Sequence, residues 1–395
     1  MKQGLVPHLL RRMFPVLLLL LAASCDPKIK IDKEVVAQAD PQRDWLMLGR
    51  NAEHQHFSTT DIEPPLTKFW DRGVKSVVTD HPLALGDRIL ATTRSGMMYM
   101  LDYQTGEPVE SGKIGPAMTN VPTIDKSRLY LSFEMGERSI LGIDLLRSKR
   151  FFDKLYPDIS TATAVRDNML LFGDIHHNLI CLNANSGEEI WKFDAGAPVK
   201  SSPALSGNKV IFANNKGRVF ALDLSSGVAL WEKQLLGNVF SHPVLGDGRA
   251  FLGTSEGKLV ALDLEKGNLI WQRDFDGAIF SSPSYYEGVL YIGTNERMVY
   301  AVDAASGETQ WSFKTEGIVN TVPLPSPNYL YLTAWDRNLY VLDRHSGEMK
   351  FKTQLKKPAK SSPIIYRDLL LVHTANDKLI AFSNEQFTLA AKEQK

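Results

Sequence analysis

The chain has 395 residues, with 45 basic and 45 acidic side chains that cancel to zero formal charge. Such a balance offers no basic stripe to nucleic acid, which is not expected as a partner, nor to an anionic membrane surface. Hydrophobic residues at 44% and aromatic residues at 9% supply a buried core and exclude a disordered chain.

Residues 1–24 read as an export signal. Lys2, Arg11 and Arg12 precede an apolar run, Phe14 to Ala23, that is too short to span a bilayer as a mature helix. The sequence Leu21-Ala22-Ala23-Ser24-Cys25 resembles a bacterial lipobox, in which small residues admit the signal peptidase and the cysteine receives the lipid. Lipidation of Cys25 is therefore expected, and with it membrane attachment through the lipid. Cys181 is then the remaining thiol, so no intramolecular disulfide is expected. It stands in the strand-like run Leu179 to Leu182, at a position that sister repeats fill with alanine, and reads as a small buried hydrophobe. Residues 25–43 are charged and carry Pro27 and Pro41, the composition of a flexible tether.

From residue 66 to residue 385 the chain repeats with a period of about forty. One unit, Ser201 to Gln234, reads as four short strands separated by turn signals: Ser202–Leu205, Val210–Ala213, Arg218–Asp223 and a strand around Leu230-Trp231. Three landmarks carry the period. The acid or amide closing the third strand recurs as Asp102, Asp144, Asn183, Asp223, Asp263, Asp303 and Asp343. First-strand prolines recur as Pro82, Pro122, Pro203, Pro243, Pro283, Pro323 and Pro363, with Ala162 in the empty slot. The large residue of the fourth strand recurs as Trp70, Phe152, Trp191, Trp231, Trp271, Trp311 and Phe351, with Glu110 in the first repeat. Four-stranded repeats of this length cannot bury both faces alone, and stacking them around an axis predicts an all-β, eight-bladed β-propeller of antiparallel blades. The last repeat lacks a fourth strand, and Leu66 to Asp71 is a fourth strand with no first. The N-terminal strand is thus expected to complete the last blade and close the ring. Residues 386–395 form a C-terminal tail.

The run from Ala221 through Asp223 and Gly227 to Trp231 resembles the tryptophan-docking repeat of pyrroloquinoline-quinone (PQQ) type propellers. It returns with Asp263, Gly267 and Trp271, with Asp303, Gly307 and Trp311, and more loosely with Gly187 and Trp191. The resemblance implies that glycine allows a left-handed turn while the indole docks one blade on the next. The segment 44–65, beginning Asp44-Trp45, resembles the lead-in of bacterial members of this family and is expected to lie on the ring as a lid.

The family also contains quinone-dependent dehydrogenases, which carry long insertions between strands, an adjacent Cys-Cys pair and calcium ligands. This chain keeps its spacing near forty and has no such pair. The resemblance therefore implies a protein without PQQ or another cofactor and without catalytic residues: an envelope lipoprotein serving as an interaction scaffold, with protein partners in outer-membrane β-barrel assembly. Outer-membrane attachment facing the periplasm is the expectation, while Asp26 after the lipidated cysteine points to the inner membrane. A ligand-binding or sensory propeller is the alternative reading, and a quinoprotein-like dehydrogenase the second.

Two rings of positions precede the first strands. Asp80, Asn120, Ser160, Ser201, Ser241, Ser281, Thr321 and Ser361 are small and polar, suited to satisfying backbone near the axis or to lining a small-ligand mouth. One residue earlier, Lys200, Phe240, Phe280 and Lys360 form a mixed aromatic and basic set of the kind a partner-binding face uses. His81 and His242 lie four blades apart, where they could face each other across the channel, with solvated or capping histidines as the default reading. His54, His56, His176 and His177 have no accompanying cluster with ligand spacing, so no metal is expected. The second repeat, with Glu134 to Ser139 as its turn, is the most degenerate and a candidate docking surface.

Overall fold

The computed structural model describes residues 29–37, 39–40, 43–134 and 139–388. Their strands form eight separate four-stranded antiparallel sheets, the eight blades expected from the repeat. Within blade 4 the strands are Ala204–Ser206, Lys209–Ala213, Arg218–Asp223 and Ala229–Gln234, here strands a to d from the axis outward. Short a strands and longer c strands suit a wedge that narrows toward the axis. The b and c strands are almost wholly buried and the d strands mostly exposed.

Blade 8 combines Ile364–Tyr366, Leu369–Thr374 and Lys378–Asn384 with Leu66–Gly73 from the other end of the propeller sequence. Trp70 pairs with Ala381 and Leu66 with Asn384, so the ring closes through the N-terminal strand as expected. The Thr67 hydroxyl donates to that of Thr388 at 2.8 Å, and Phe69 meets Phe387 at 5.6 Å between ring centroids, which continues the seal past the last strand.

The core sits between blades. One cluster unites Leu171, Cys181 and Trp191 of blade 3 with Phe212, Phe220 and Leu222 of blade 4, and comparable clusters fill the successive seams. Cys181 is fully buried, and burial pushes its thiol up to about 12, where it is unreactive at neutral pH.

Five indoles make one repeated joint. Trp70, Trp191, Trp231, Trp271 and Trp311 each donate Nε1–H to a carbonyl of the next blade, that of Tyr103, Leu224, Leu264, Ala304 and Arg344, at 2.9–3.1 Å. The acceptor is always the residue after the acid that closes strand c. Gly227 explains the glycine in this turn: its φ is +70°, and a Cβ there would stand 2.6 Å from the Trp191 ring. Gly187, Gly267 and Gly307 take the same positive φ, against Phe152, Trp231 and Trp271. Asp223 holds the turn from its other end. Its Oδ1 accepts the Ser225 and Ser226 hydroxyls and their backbone N–H groups, bonds that keep its carboxyl below the usual range, the hydroxyls foremost, and Asp263 and Asp303 accept the same pair of backbone bonds.

The part of the expected tether that the structure describes is not free. Ile29 and Ile31 are each 2% exposed within the core between blades 1 and 2, and Lys33–Ala37 is a short helix. Apolar residues at 29, 31, 35 and 36 give this charged stretch one sticky side, a pattern its overall composition hides.

Candidate functional site

The lead-in segment builds the centre of the molecule. Innermost strands leave one edge unpaired toward the axis, a row of N–H and C=O groups that needs partners. Residues 45–58 supply them one blade at a time. Trp45 exchanges backbone bonds with Ala84, and Leu46 O accepts from Ile124. Ala52, Glu53 and Gln55 accept from Leu205, Leu245 and Tyr285, and Ser58 donates to Pro325 O. The Trp45 indole donates to Ile365 O at 2.8 Å, and Glu53 meets Arg166 of blade 3 at 3.2 Å. The segment therefore turns once around the axis and touches all eight blades. It is a plug set into the channel, a deeper seat than the expected lid.

This plug alters the expected histidine pair. His81 and His242 do not face each other across open space. Gly49 N–H donates to His81 Nε2 at 3.1 Å, Trp45 lies 5.2 Å from the His81 ring, and His54 lies 6.0 Å from His242. His54 Nδ1 lies 3.2 Å from Pro243 O and His56 Nε2 3.1 Å from Pro363 O. All four imidazoles are held below the ordinary histidine range, first by burial. For His54 and His56 the value is about 3, and for His242 about 4. His242 Nδ1 also accepts the Ser202 N–H at 2.8 Å, a bond that only the unprotonated nitrogen can make.

A hydrogen-bonded belt runs beside them. Ala162 N–H reaches Ser202 Oγ, His242 N–H reaches Ser282 Oγ, Val322 N–H reaches Ser362 Oγ, and Ser362 Oγ donates to Asp80 at 2.8 Å. In the ring one residue earlier some members tie the start of strand a to strand b within a blade: Ser241 Oγ bonds both the N–H and C=O of Gly253, and Ser361 Oγ accepts from His373 N–H, whereas the buried Ser201 and Ser281 hydroxyls make no hydrogen bond.

Lys200, Phe240, Phe280 and Lys360 emerge on the face carrying the d–a connections and b–c turns. All four are exposed, and the Phe240 and Phe280 rings stand 6.1 Å apart. The structure adds a residue that the repeat reading missed. Trp335 is 50% exposed in the b–c turn of blade 7, with Lys360 Nζ 4.8 Å over its ring. Its signal was a lone indole at a turn position where sister repeats have Asn215, Ser255 and Asn295. Leu236, 66% exposed in the loop before Phe240, extends the arc. Mixed aromatic and cationic groups on a rigid face match the composition of protein contact sites.

Cys25 lies outside the described residues, as do Met135 to Arg138 of the blade 2 turn. A quinone cofactor with its divalent cation needs several converging anionic or amide ligands. Among the described residues, no three His, Cys, Asp or Glu side chains gather in an arrangement able to hold a metal ion. The axial space beside His81 and His242 is taken by Trp45, His54 and His56, so the donor set does not fit such a group.

Eight four-stranded blades, five of them docked on the next through a tryptophan, define a PQQ-like propeller. The family described as "Outer membrane protein assembly factor BamB" matches residues 147–239, 233–324 and 297–389, and the chain belongs to it. No protein of curated function matches the sequence. Among solved structures, BamB from Moraxella catarrhalis is similar with a TM-score of 0.68 at 16% identity, covering 80% of this chain and 99% of that one. The computationally designed Ika8 protein has a TM-score of 0.71 at 12% identity, covering 79% and 98%. Quinohemoprotein alcohol dehydrogenase ADHIIG from Pseudomonas putida HK5 has a TM-score of 0.73 at 12% identity, covering 90% and 82%. At these identities the likeness is one of fold, shared by an assembly factor, a designed protein and an enzyme.

Proposed function

We propose that this protein is a non-enzymatic scaffold of the bacterial envelope, anchored by a lipid on Cys25 and binding protein components of outer-membrane β-barrel assembly. Family membership supports the assembly role. The observation that carries the binding mode is the exposed arc of Phe240, Phe280, Trp335, Lys200 and Lys360 on one face of a ring whose axis is plugged. Such a face recognises a partner by inserting a few aromatic anchors, with the lysine ammoniums selecting against cationic surfaces. The lipid holds the ring at the periplasmic surface of the outer membrane, where nascent barrels arrive.

Photo-crosslinking amino acids at positions 240, 280 and 335 in living cells test this reading. Barrel-assembly proteins should be recovered from these positions and not from positions 207 and 288, in turns on the opposite face. Recovery of none, or equal recovery from both faces, would count against it. Cys25→Ala should release the protein from membranes, and persistent attachment would refute the lipid anchor.

A further inference from the structure

The seam between blades 1 and 2 has no tryptophan joint. Glu110 occupies the indole slot in blade 1, and Ser148 replaces the turn glycine in blade 2. By register, the carbonyl that should accept an indole N–H is that of Leu145, since it follows Asp144 as Leu224 follows Asp223. It is not left bare: Ile31 N–H donates to Leu145 O at 3.0 Å. Ile29 and Ile31 are buried with Met100, Leu129, Ile143 and Leu145 of the two blades, providing the apolar area that an indole supplies elsewhere. From there the helix Lys33–Ala37 crosses to the a–b turn of blade 1, where Val35 packs so closely that a Cβ on Gly86 would stand 2.2 Å from it.

Both docking points, Leu145 in a c–d turn and Gly86 in an a–b turn, belong to the face opposite Phe240 and Trp335. Cys25 precedes Ile29 by four residues, so an extended chain between them spans at most about 14 Å. We infer that residues 29–37 are a strap that replaces the missing joint and seats the ring against the lipid headgroups by its a–b and c–d face, leaving the aromatic arc turned to the periplasm. The inference rests on the proposed acylation of Cys25. It removes the long tether, and with it the freedom of the ring to tumble about its anchor. A partner docking on the arc then meets a surface of fixed height and orientation, which raises its effective concentration there.

The acylated protein, in a Cys181→Ala background, is reconstituted into phosphatidylethanolamine–phosphatidylglycerol vesicles containing lipids with a nitroxide on the headgroup. A fluorophore is placed by Lys126→Cys in an a–b turn or by Lys216→Cys in a b–c turn, both exposed positions. Quenching should be several-fold stronger at 126 than at 216. A flexible Gly/Ser insertion of about twelve residues before Ile29 should equalise the two while leaving the protein on the vesicles. Equal quenching without the insertion, or stronger quenching at 216, would overturn the inference. Vesicle flotation is read in the same samples, so loss of the anchor is seen separately. The joint itself is read without lipid by hydrogen exchange: the amide of Ile31 should be protected to the same degree as blade core amides, and rapid exchange there would remove the strap.

Discussion

The two histidines buried in the plug should make the ring acid-sensitive. His54 and His56 are 5% and 2% exposed, and each is held near 3, whereas in the unfolded chain a histidine titrates near 6.5. Above about pH 6.5 both states are neutral and the imidazoles impose no penalty. As pH falls below 6.5 the unfolded chain binds protons that the folded ring refuses, so stability drops until the folded-state value near 3 is reached. At pH 5 the difference from 6.5 is about 1.5 units, or about 2 kcal/mol per histidine at 1.36 kcal/mol per unit, hence about 4 kcal/mol for the pair. Urea unfolding at pH 7.5 and pH 5.0 should show the wild type losing about 4 kcal/mol more than a His54→Gln/His56→Gln variant. Should the variant fail to fold, the imidazole proton resonances of the wild type report directly, and those of His54 and His56 should not titrate above pH 4. Equal pH slopes for the two proteins, or titration of these histidines near pH 6.5, would refute the reasoning.

Other outcomes follow from the joints. Trp231→Ala removes an indole hydrogen-bonded to Leu264 O and should cost about 3–5 kcal/mol in chemical denaturation, with an unchanged midpoint contradicting the docking role. Gly227→Ala combines a φ of +70° with a contact 2.6 Å from Trp191 and should be clearly more destabilising than Gly207→Ala, where φ is also positive but nothing lies within 4 Å. Thermal melts of the pair decide it. Trp45→Ala should lower stability by about 3–5 kcal/mol although Trp45 lies outside every blade, because its fully buried indole ties blade 1 to blade 8. Addition of PQQ and Ca²⁺ should produce no dye-linked oxidation of alcohols or sugars, and measurable turnover would reinstate the dehydrogenase reading.

The ring was legible because its cause is periodic. Asp223, Gly227 and Trp231 return at fixed spacing since each blade must make the same turn and the same joint, and Trp70 stranded ahead of the first repeat announced the closure. The centre was not legible for the opposite reason. Residues 45–58 meet a different blade at nearly every step, so their bonds to Ala84, Ile124, Leu205 and Tyr285 leave no repeating trace in the chain. The positions of His81 and His242 could be counted, but not what stood between them. Glu110 marked a missing joint, yet nothing local to Glu110 pointed to Ile31, about eighty residues earlier, as its substitute. Trp335 was visible as an irregular turn residue, but its exposure depends on which way the b–c turn points, and pleat decides that.

Loss of the protein should lower the amounts of outer-membrane β-barrel proteins, and this measurement bears most directly on the assembly role. Quantitative proteomics of outer membranes would compare a deletion strain carrying the wild-type chain, no copy, or a Phe240→Asp/Phe280→Asp/Trp335→Asp variant shown to melt like the wild type. The proposed function predicts restored barrel levels with the wild type and depleted levels with the variant. Unaltered barrel levels in the deletion strain, or full restoration by the variant, would contradict it.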